Sequence, residues 1–128
     1  MKEAARFFKV LADESRLKML WLLFNRQELC VCDIMAVLEI TQSKASRHLA
    51  TLRNIGIVVD RRGGPWSYYS LCPVEDRLVA EHLKLLKTSL SRRKDAKELI
   101  LKLKKWLKEK AREESCSGTG LDCFAPAK

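Results

Sequence analysis

The spacing of apolar residues changes twice along this chain, and that change constrains the fold more than any other feature. Up to Asn54 the apolar residues recur every three to four positions, which is helical. Phe7, Phe8 and Leu11 follow Ala4 at that spacing and predict a first short helix. Asp13 is placed to cap a second, in which Leu17, Leu20, Trp21 and Phe24 form the buried face. A third helix is expected to begin near Cys32 or Asp33 and to run through Ile34, Met35, Val37 and Leu38. Thr41 reads as the N-cap of a fourth, which ends near Asn54 with Gly56 as its stop signal. From Ile57 the period falls to two. Ile57 to Arg61 and Trp66 to Leu71 read as strands around Gly63-Gly64-Pro65, with the glycines supplying the positive φ of a tight turn. Pro73 ends this hairpin, and helical spacing resumes from Val74.

The later part carries two stripes. Leu78, His82, Leu85 and Leu86 make one; Ala96, Leu99, Ile100, Leu103, Trp106 and Leu107 make the other. Residues 91 to 93 either separate two helices or lie inside a bent one. After Glu114 the run Ser-Cys-Ser-Gly-Thr-Gly is flexible by composition. The order of helices, hairpin and further helices predicts a mostly α fold with a small β-hairpin, a winged helix-turn-helix.

A net charge of +9 points to an anionic partner, but its distribution is uneven. Residues 1 to 83 carry 12 basic and 10 acidic side chains, whereas residues 84 to 112 carry 12 and 3. The excess therefore sits late in the chain and does not by itself make the front a DNA-binding unit. The fourth helix does. At 100° per residue Ala45, Leu49 and Leu52 share one side, while Ser43, Arg47 and Ala50 centre on the other with Lys44 and Ser46 beside them. Small residues permit close approach to a major groove and Arg47 can pair with guanine edges. Gln42 at the first turn can reach a base or a phosphate. Arg61 and Arg62 at the hairpin tip suit phosphates or a minor groove. His48 lies at the edge of the packed side, where a structural role and a phosphate contact weigh equally. A solvated helix face and a hairpin with surface arginines is the plainer alternative.

Three stretches together are specific. Thr41-Gln-Ser-Lys-Ala-Ser-Arg-His-Leu49, Leu52-Arg-Asn-Ile-Gly-Ile-Val58 and Arg61-Arg-Gly-Gly-Pro-Trp-Ser-Tyr-Tyr-Ser-Leu71 resemble the ArsR/SmtB family of bacterial metal-responsive repressors. The opening Phe8-Lys-Val-Leu-Ala-Asp-Glu-Ser-Arg-Leu-Lys-Met-Leu20 is similar to it too, so the resemblance runs over roughly residues 3 to 90. It implies a homodimer joined through the first and late helices. Such a protein binds double-stranded operator DNA without metal and releases it when metal binds. Residues 1–90 are then expected to form a winged helix DNA-binding and dimerisation domain, with the basic helix 91–114 part of the same domain and 115–128 a flexible, cysteine-containing tail. His82 is then expected at the dimer interface.

Five cysteines, an odd number, with no secretory signal, favour reduced thiols in a cytoplasmic protein over a disulfide framework. Glu28-Leu-Cys-Val-Cys-Asp-Ile-Met-Ala-Val-Leu38 resembles the arsenic-sensing branch, in which a third Cys stands where this chain has Met35. The resemblance implies As(III) or Sb(III) as inducer on Cys30 and Cys32, with no organic cofactor. Soft thiolates select such soft acceptors, and cadmium, lead or thiol oxidation would use the same sulfurs. Passive burial is the plainer reading. Cys116 and Cys123 in the tail are candidate further ligands, Cys72 reads as packing, and so does Met35, whose neutral thioether is a poor ligand. Residues two apart lie about 200° apart on a helix, so Cys30 must precede the helix or binding must unwind its start.

Nothing in the sequence suggests an enzyme: it has no phosphate-cradling glycine loop and only two histidines. Lys102, Lys104, Lys105, Lys108 and Lys110 beside an apolar face permit a helix that lies on an anionic membrane or binds an acidic partner. An apolar dimer seam with a solvated lysine-rich back is preferred, and no membrane partner is expected.

Overall fold

Local capping fixes most of the element boundaries. In the computed structural model, which describes residues 1–117 with side chains to residue 112, helix α1 spans Lys2–Leu11 and α2 spans Glu14–Asn25. Asp13 caps α2 by accepting the Arg16 N–H at 3.1 Å. Helix α3 (Val31–Leu38) and α4 (Gln42–Asn54) follow, and Thr41 Oγ1 caps α4 by accepting the Lys44 N–H at 3.2 Å. Gly56 ends α4 with φ +81°, a value that glycine adopts without the Cβ penalty. Strands β2 (Val58–Gly63) and β3 (Trp66–Leu71) form the hairpin, α5 spans Arg77–Leu90 and α6 spans Lys94–Ser117. Residues 91 to 93 therefore separate two helices.

Three details differ from the sequence expectations. A two-residue strand β1 (Leu29–Cys30) pairs antiparallel with β3, Leu29 opposite Tyr69 and Cys30 opposite Tyr68, so the sheet has three strands in the order β1-β3-β2. Two residues carry no readable period. Of the two turn glycines only Gly64 has a positive φ, +65°. Gly63 is needed for room instead, because a Cβ there would stand 2.7 Å from the Tyr68 ring. The third difference concerns α6, whose apolar stripe is spent inside the protomer rather than on a dimer seam. Leu103 is buried in the main core beside Leu20, Leu22 and Ile34, with Leu99, Ile100, Trp106 and Leu107 packed against that core. Trp21 Nε1 donates to the Ala96 carbonyl at 2.8 Å, which fixes the start of α6 on α2. Lys110, expected on the solvated face, is buried.

The core runs from α1 through α2, α3 and α4 to the inner face of the hairpin, with Met19, Leu20, Leu22, Leu49, Leu52 and Ile57 fully enclosed. By contrast, Phe8 of α1 and Leu78 and Leu85 of α5 are exposed. No described helix is long and apolar enough to cross a membrane.

Candidate DNA-reading face and thiol site

Two neighbouring features make up the candidate site: the outer face of α4 with the hairpin, and the start of α3. On α4 the expected division holds in space. Ala45, Leu49 and Leu52 are wholly buried, while Gln42, Ser43, Lys44, Ser46 and Arg47 are exposed. The buried face anchors α4 on the core, and the exposed face presents short polar side chains with one lysine and one arginine. That combination can enter a groove and hydrogen-bond to base edges.

Of the other three candidates, His48 and Arg61 have side-chain partners within the chain. His48 is half-buried, and Arg16 Nη1 lies 3.0 Å from its Nδ1. Arg16 also donates through Nε to the Val10 carbonyl at 2.7 Å, so one guanidinium ties the end of α1 to α4. An arginine can only donate, so the His48 ring accepts at Nδ1 and carries its proton on Nε2. Burial lowers the His48 pKa, and the arginine charge adds to that against the opposing pull of Asp13. Arg61 makes a two-pronged ion pair with Glu28, Nε to Oε2 at 2.7 Å and Nη2 to Oε1 at 2.9 Å. Its guanidinium also lies 4.6 Å over the Tyr68 ring. Arg61 is therefore engaged, and its pKa is raised by the Glu28 bond. Arg62 is exposed on the same strand.

The thiol site lies where β1 becomes α3. Cys30 is extended, with φ −78° and ψ 153°, and serves as the N-cap of α3, while Cys32 sits in the first turn. This is one of the two arrangements that the spacing left open, with the first cysteine ahead of the helix. The two sulfurs approach to 2.6 Å, and Cys30 Sγ also accepts the Cys32 N–H at 3.3 Å. Cys30 is buried and Cys32 half-buried. Neither they nor Cys72 form a disulfide. Cys72 donates to the Gly56 carbonyl at 3.1 Å, a structural bond at the end of the hairpin.

Sequence reasoning missed Asp33. Its Oδ2 accepts the Cys30 N–H at 2.9 Å, which completes a capping box. Its Oδ1 accepts from Trp106 Nε1 at 2.9 Å and from Lys110 Nζ at 2.6 Å. A signal was present: Lys110 continues the stripe Leu103, Trp106, Leu107 at a position that should be apolar. Met35 is half-buried and packs on the core. Among the described residues no group of three or more His, Cys, Asp or Glu could hold a metal ion. The donor chemistry present is two convergent thiols, which suits a thiophile and not a hard cation. The side chain of Cys116 and all of Cys123 lie outside the described residues.

Comparison with known proteins agrees with the fold. A family model described as "Bacterial regulatory protein, arsR family" matches residues 13–59. The chain is 49% identical over 77 residues to the arsenic resistance transcriptional regulator ArsR1 of Pseudomonas putida, covering 60% of each chain. It thus spans only about three fifths of that relative's length. It is 42% identical over 77 residues to the arsenical resistance operon repressor of Bacillus subtilis, covering 59% of this chain and 73% of that one. A cadmium resistance regulatory protein CadC homolog from Staphylococcus aureus is 42% identical over 69 residues, covering 54% and 57%. Among solved structures, the homodimeric winged helix-turn-helix DNA-binding domain of a possible ArsR-family regulator from Mycobacterium bovis aligns with TM-score 0.59. It is 30% identical and covers 70% of this chain and 80% of that one.

Proposed function

This chain belongs to the bacterial ArsR family of regulatory proteins, and from that premise we propose that it is a homodimeric repressor whose grip on operator DNA is released by a soft thiophile. Gln42, Ser43, Lys44, Ser46 and Arg47 read the major groove, and Arg62 meets the backbone beside it. Arg61 reaches DNA only by leaving or sharing its bond to Glu28, and His48 acts chiefly by steadying α4 against Arg16. Phe8, Leu78 and Leu85 supply apolar surface for a second copy through α1 and α5. His82 stands at that surface, its ring edge-on to Phe8 at 5.1 Å.

Trivalent arsenic or antimony is the inducer that the two thiols suit best. The carrying observation is that the Cys30 and Cys32 sulfurs are in direct contact at the cap of α3, the helix that leads directly into α4. Each thiol gives up its proton as its sulfur bonds to the metalloid, and each displaced hydroxide leaves as water. A third bond is left for hydroxide or for Cys116 or Cys123. Because the Cys30 sulfur itself caps α3, occupancy bears on the start of that helix and through it on α4. A coupling of about 1–3 kcal/mol would lower DNA affinity roughly 5–150-fold.

The test is the anisotropy of labelled upstream DNA with reduced protein, titrated with arsenite and, in parallel, with cadmium and zinc. The expected result is release by arsenite at a concentration where zinc does nothing. Cys30→Ser with Cys32→Ser should retain DNA binding and lose the response; a fully inducible double variant rejects the site. Deleting residues 115–128 assigns the tail cysteines, since an unchanged response makes them dispensable. Stronger release by cadmium than by arsenite would favour the reading that the CadC likeness supports.

A further inference from the structure

The resemblance read in the sequence runs to roughly residue 90, yet the Asp33 carboxylate beside the thiol site is held from α6. Two ion pairs fix the direction of α6. Lys102 pairs with Glu39, the C-cap of α3, and Lys110 pairs with Asp33 in the first turn of α3. Moving forward along α6 therefore means moving backward along α3, and the two helices lie antiparallel. The lengths agree: eight residues of α6 span about 12 Å and six of α3 span about 9 Å.

At the far end of this pairing a single carboxylate faces both ways. Asp33 Oδ2 holds the backbone N–H of Cys30, and Asp33 Oδ1 receives Trp106 and Lys110. Asp33 is 4% exposed and Lys110 7%, so neither charge has water to fall back on. Trp106 and Lys110 are four residues apart and so rise from one face of α6. The carboxylate cannot follow a displaced α6 without pulling on Cys30, the residue whose sulfur must converge with that of Cys32.

The geometry points to Asp33 as a positioning residue for the thiol site and to α6 as the element that sets it. Docking of Trp106 and Lys110 on Asp33 holds Cys30 so that two sulfurs converge before any ligand arrives. This inference rests on Cys30 and Cys32 being the sensing thiols. Convergent thiols bind a thiophile more tightly than splayed ones, because less ordering is left to do on binding. By linkage, a ligand on the thiols must then strengthen the docking of α6. α6 thus contributes to the inducer response without touching the inducer.

The experiment has two arms on the full chain. In the first, wild-type protein is digested with trypsin with and without arsenite, and cleavage after Lys104, Lys105 and Lys108 is followed by mass spectrometry. These lysines are exposed on α6, so their cleavage reports its undocking. Arsenite should slow cleavage there several-fold more than after Lys9 of α1, and equal rates overturn the inference. In the second arm, Lys110→Met, Trp106→Phe and Asp33→Asn are titrated with arsenite, followed by sulfur-to-arsenic absorbance. Lys110→Met and Asp33→Asn should weaken binding about tenfold, the reach of a moderate coupling, and their combination should cost little more than either alone. Operator affinity without arsenite should stay near wild type, which a merely structural lesion would not allow. Unchanged arsenite affinity in Lys110→Met, or fully additive losses, overturns the proposal. If wild-type protein shows no sulfur-to-arsenic absorbance, the sensing assignment itself falls and takes this inference with it. If arsenite binds and releases DNA but α6 is unprotected, only the inference falls.

Discussion

The two helices of the helix-turn-helix are built on different terms. Helix α4 carries its instructions within itself: Thr41 caps it, Ala45, Leu49 and Leu52 seat it, and the positions between them face outward. The start of α3 depends on distant chain, on Tyr68 and Tyr69 across the sheet and on Trp106 and Lys110 from α6. A face that reads DNA gains from being rigid and self-contained. A site that reports occupancy gains from long-range ties, because occupancy is felt elsewhere only through structure that it disturbs.

The most severe test of that contrast is Leu103→Ala. Leu103 is 1% exposed in the main core, and truncation should cost about 2–5 kcal/mol. Urea unfolding followed by far-UV circular dichroism should show the whole domain losing stability in one transition. If α6 melts early and the remainder unfolds at the wild-type midpoint, α6 is an appendage and the contrast collapses.

Arg47→Ala probes the other side with a smaller effect. An arginine on a base edge contributes about 1–3 kcal/mol of discrimination, so binding to the specific site should fall while arsenite affinity stays constant. Arg62→Ala should weaken binding to all sequences alike and reduce the salt slope by about one. Arg61→Ala should do less to DNA than Arg62→Ala, because its guanidinium already serves Glu28. A reversed order would mean that the ion pair opens on DNA.

What the sequence made legible follows the same division. Asp13, Thr41 and Gly56 are readable because a cap acts within three or four residues of itself. The buried face of α4 follows from the angle per residue, and the place of Cys30 ahead of α3 is one of the two arrangements that the spacing of the cysteines allowed. The hairpin is legible from period two, but β1 is not, since pairing with Tyr68 and Tyr69 is decided some forty residues later. Asp33 was hidden for that reason. Its partners lie 73 and 77 residues away, and the one local signal, Lys110 in an apolar stripe, marks the lysine without naming the carboxylate it meets. The α6 stripe was visible as apolar but not as to what it covers. A stripe at helical spacing serves a protomer's own α2 and α3 as well as it serves a second copy.

The smallest predicted effect concerns a position where α4 is tied to distant chain. His48 accepts from Arg16, which lies 32 residues away and is itself tied to the Val10 carbonyl. Burial holds the His48 pKa below the ordinary histidine value, so the folded protein keeps the ring neutral where the unfolded chain begins to protonate it. The stability that this contributes is complete above the ordinary value and is lost as pH falls through the folded one. Protonation at Nδ1 would set two donors facing each other. His48→Gln should therefore flatten the pH dependence of unfolding between about pH 7 and 5, measured as the difference in urea midpoint from wild type. Asp13 does not confound that window. Burial raises its carboxyl pKa, but the Arg16 N–H bond and the Arg16 charge outweigh this and lower it, so its loss comes at more acid pH. If wild type and His48→Gln run parallel from neutral pH to the carboxylate range, the Arg16 bond does not hold α4.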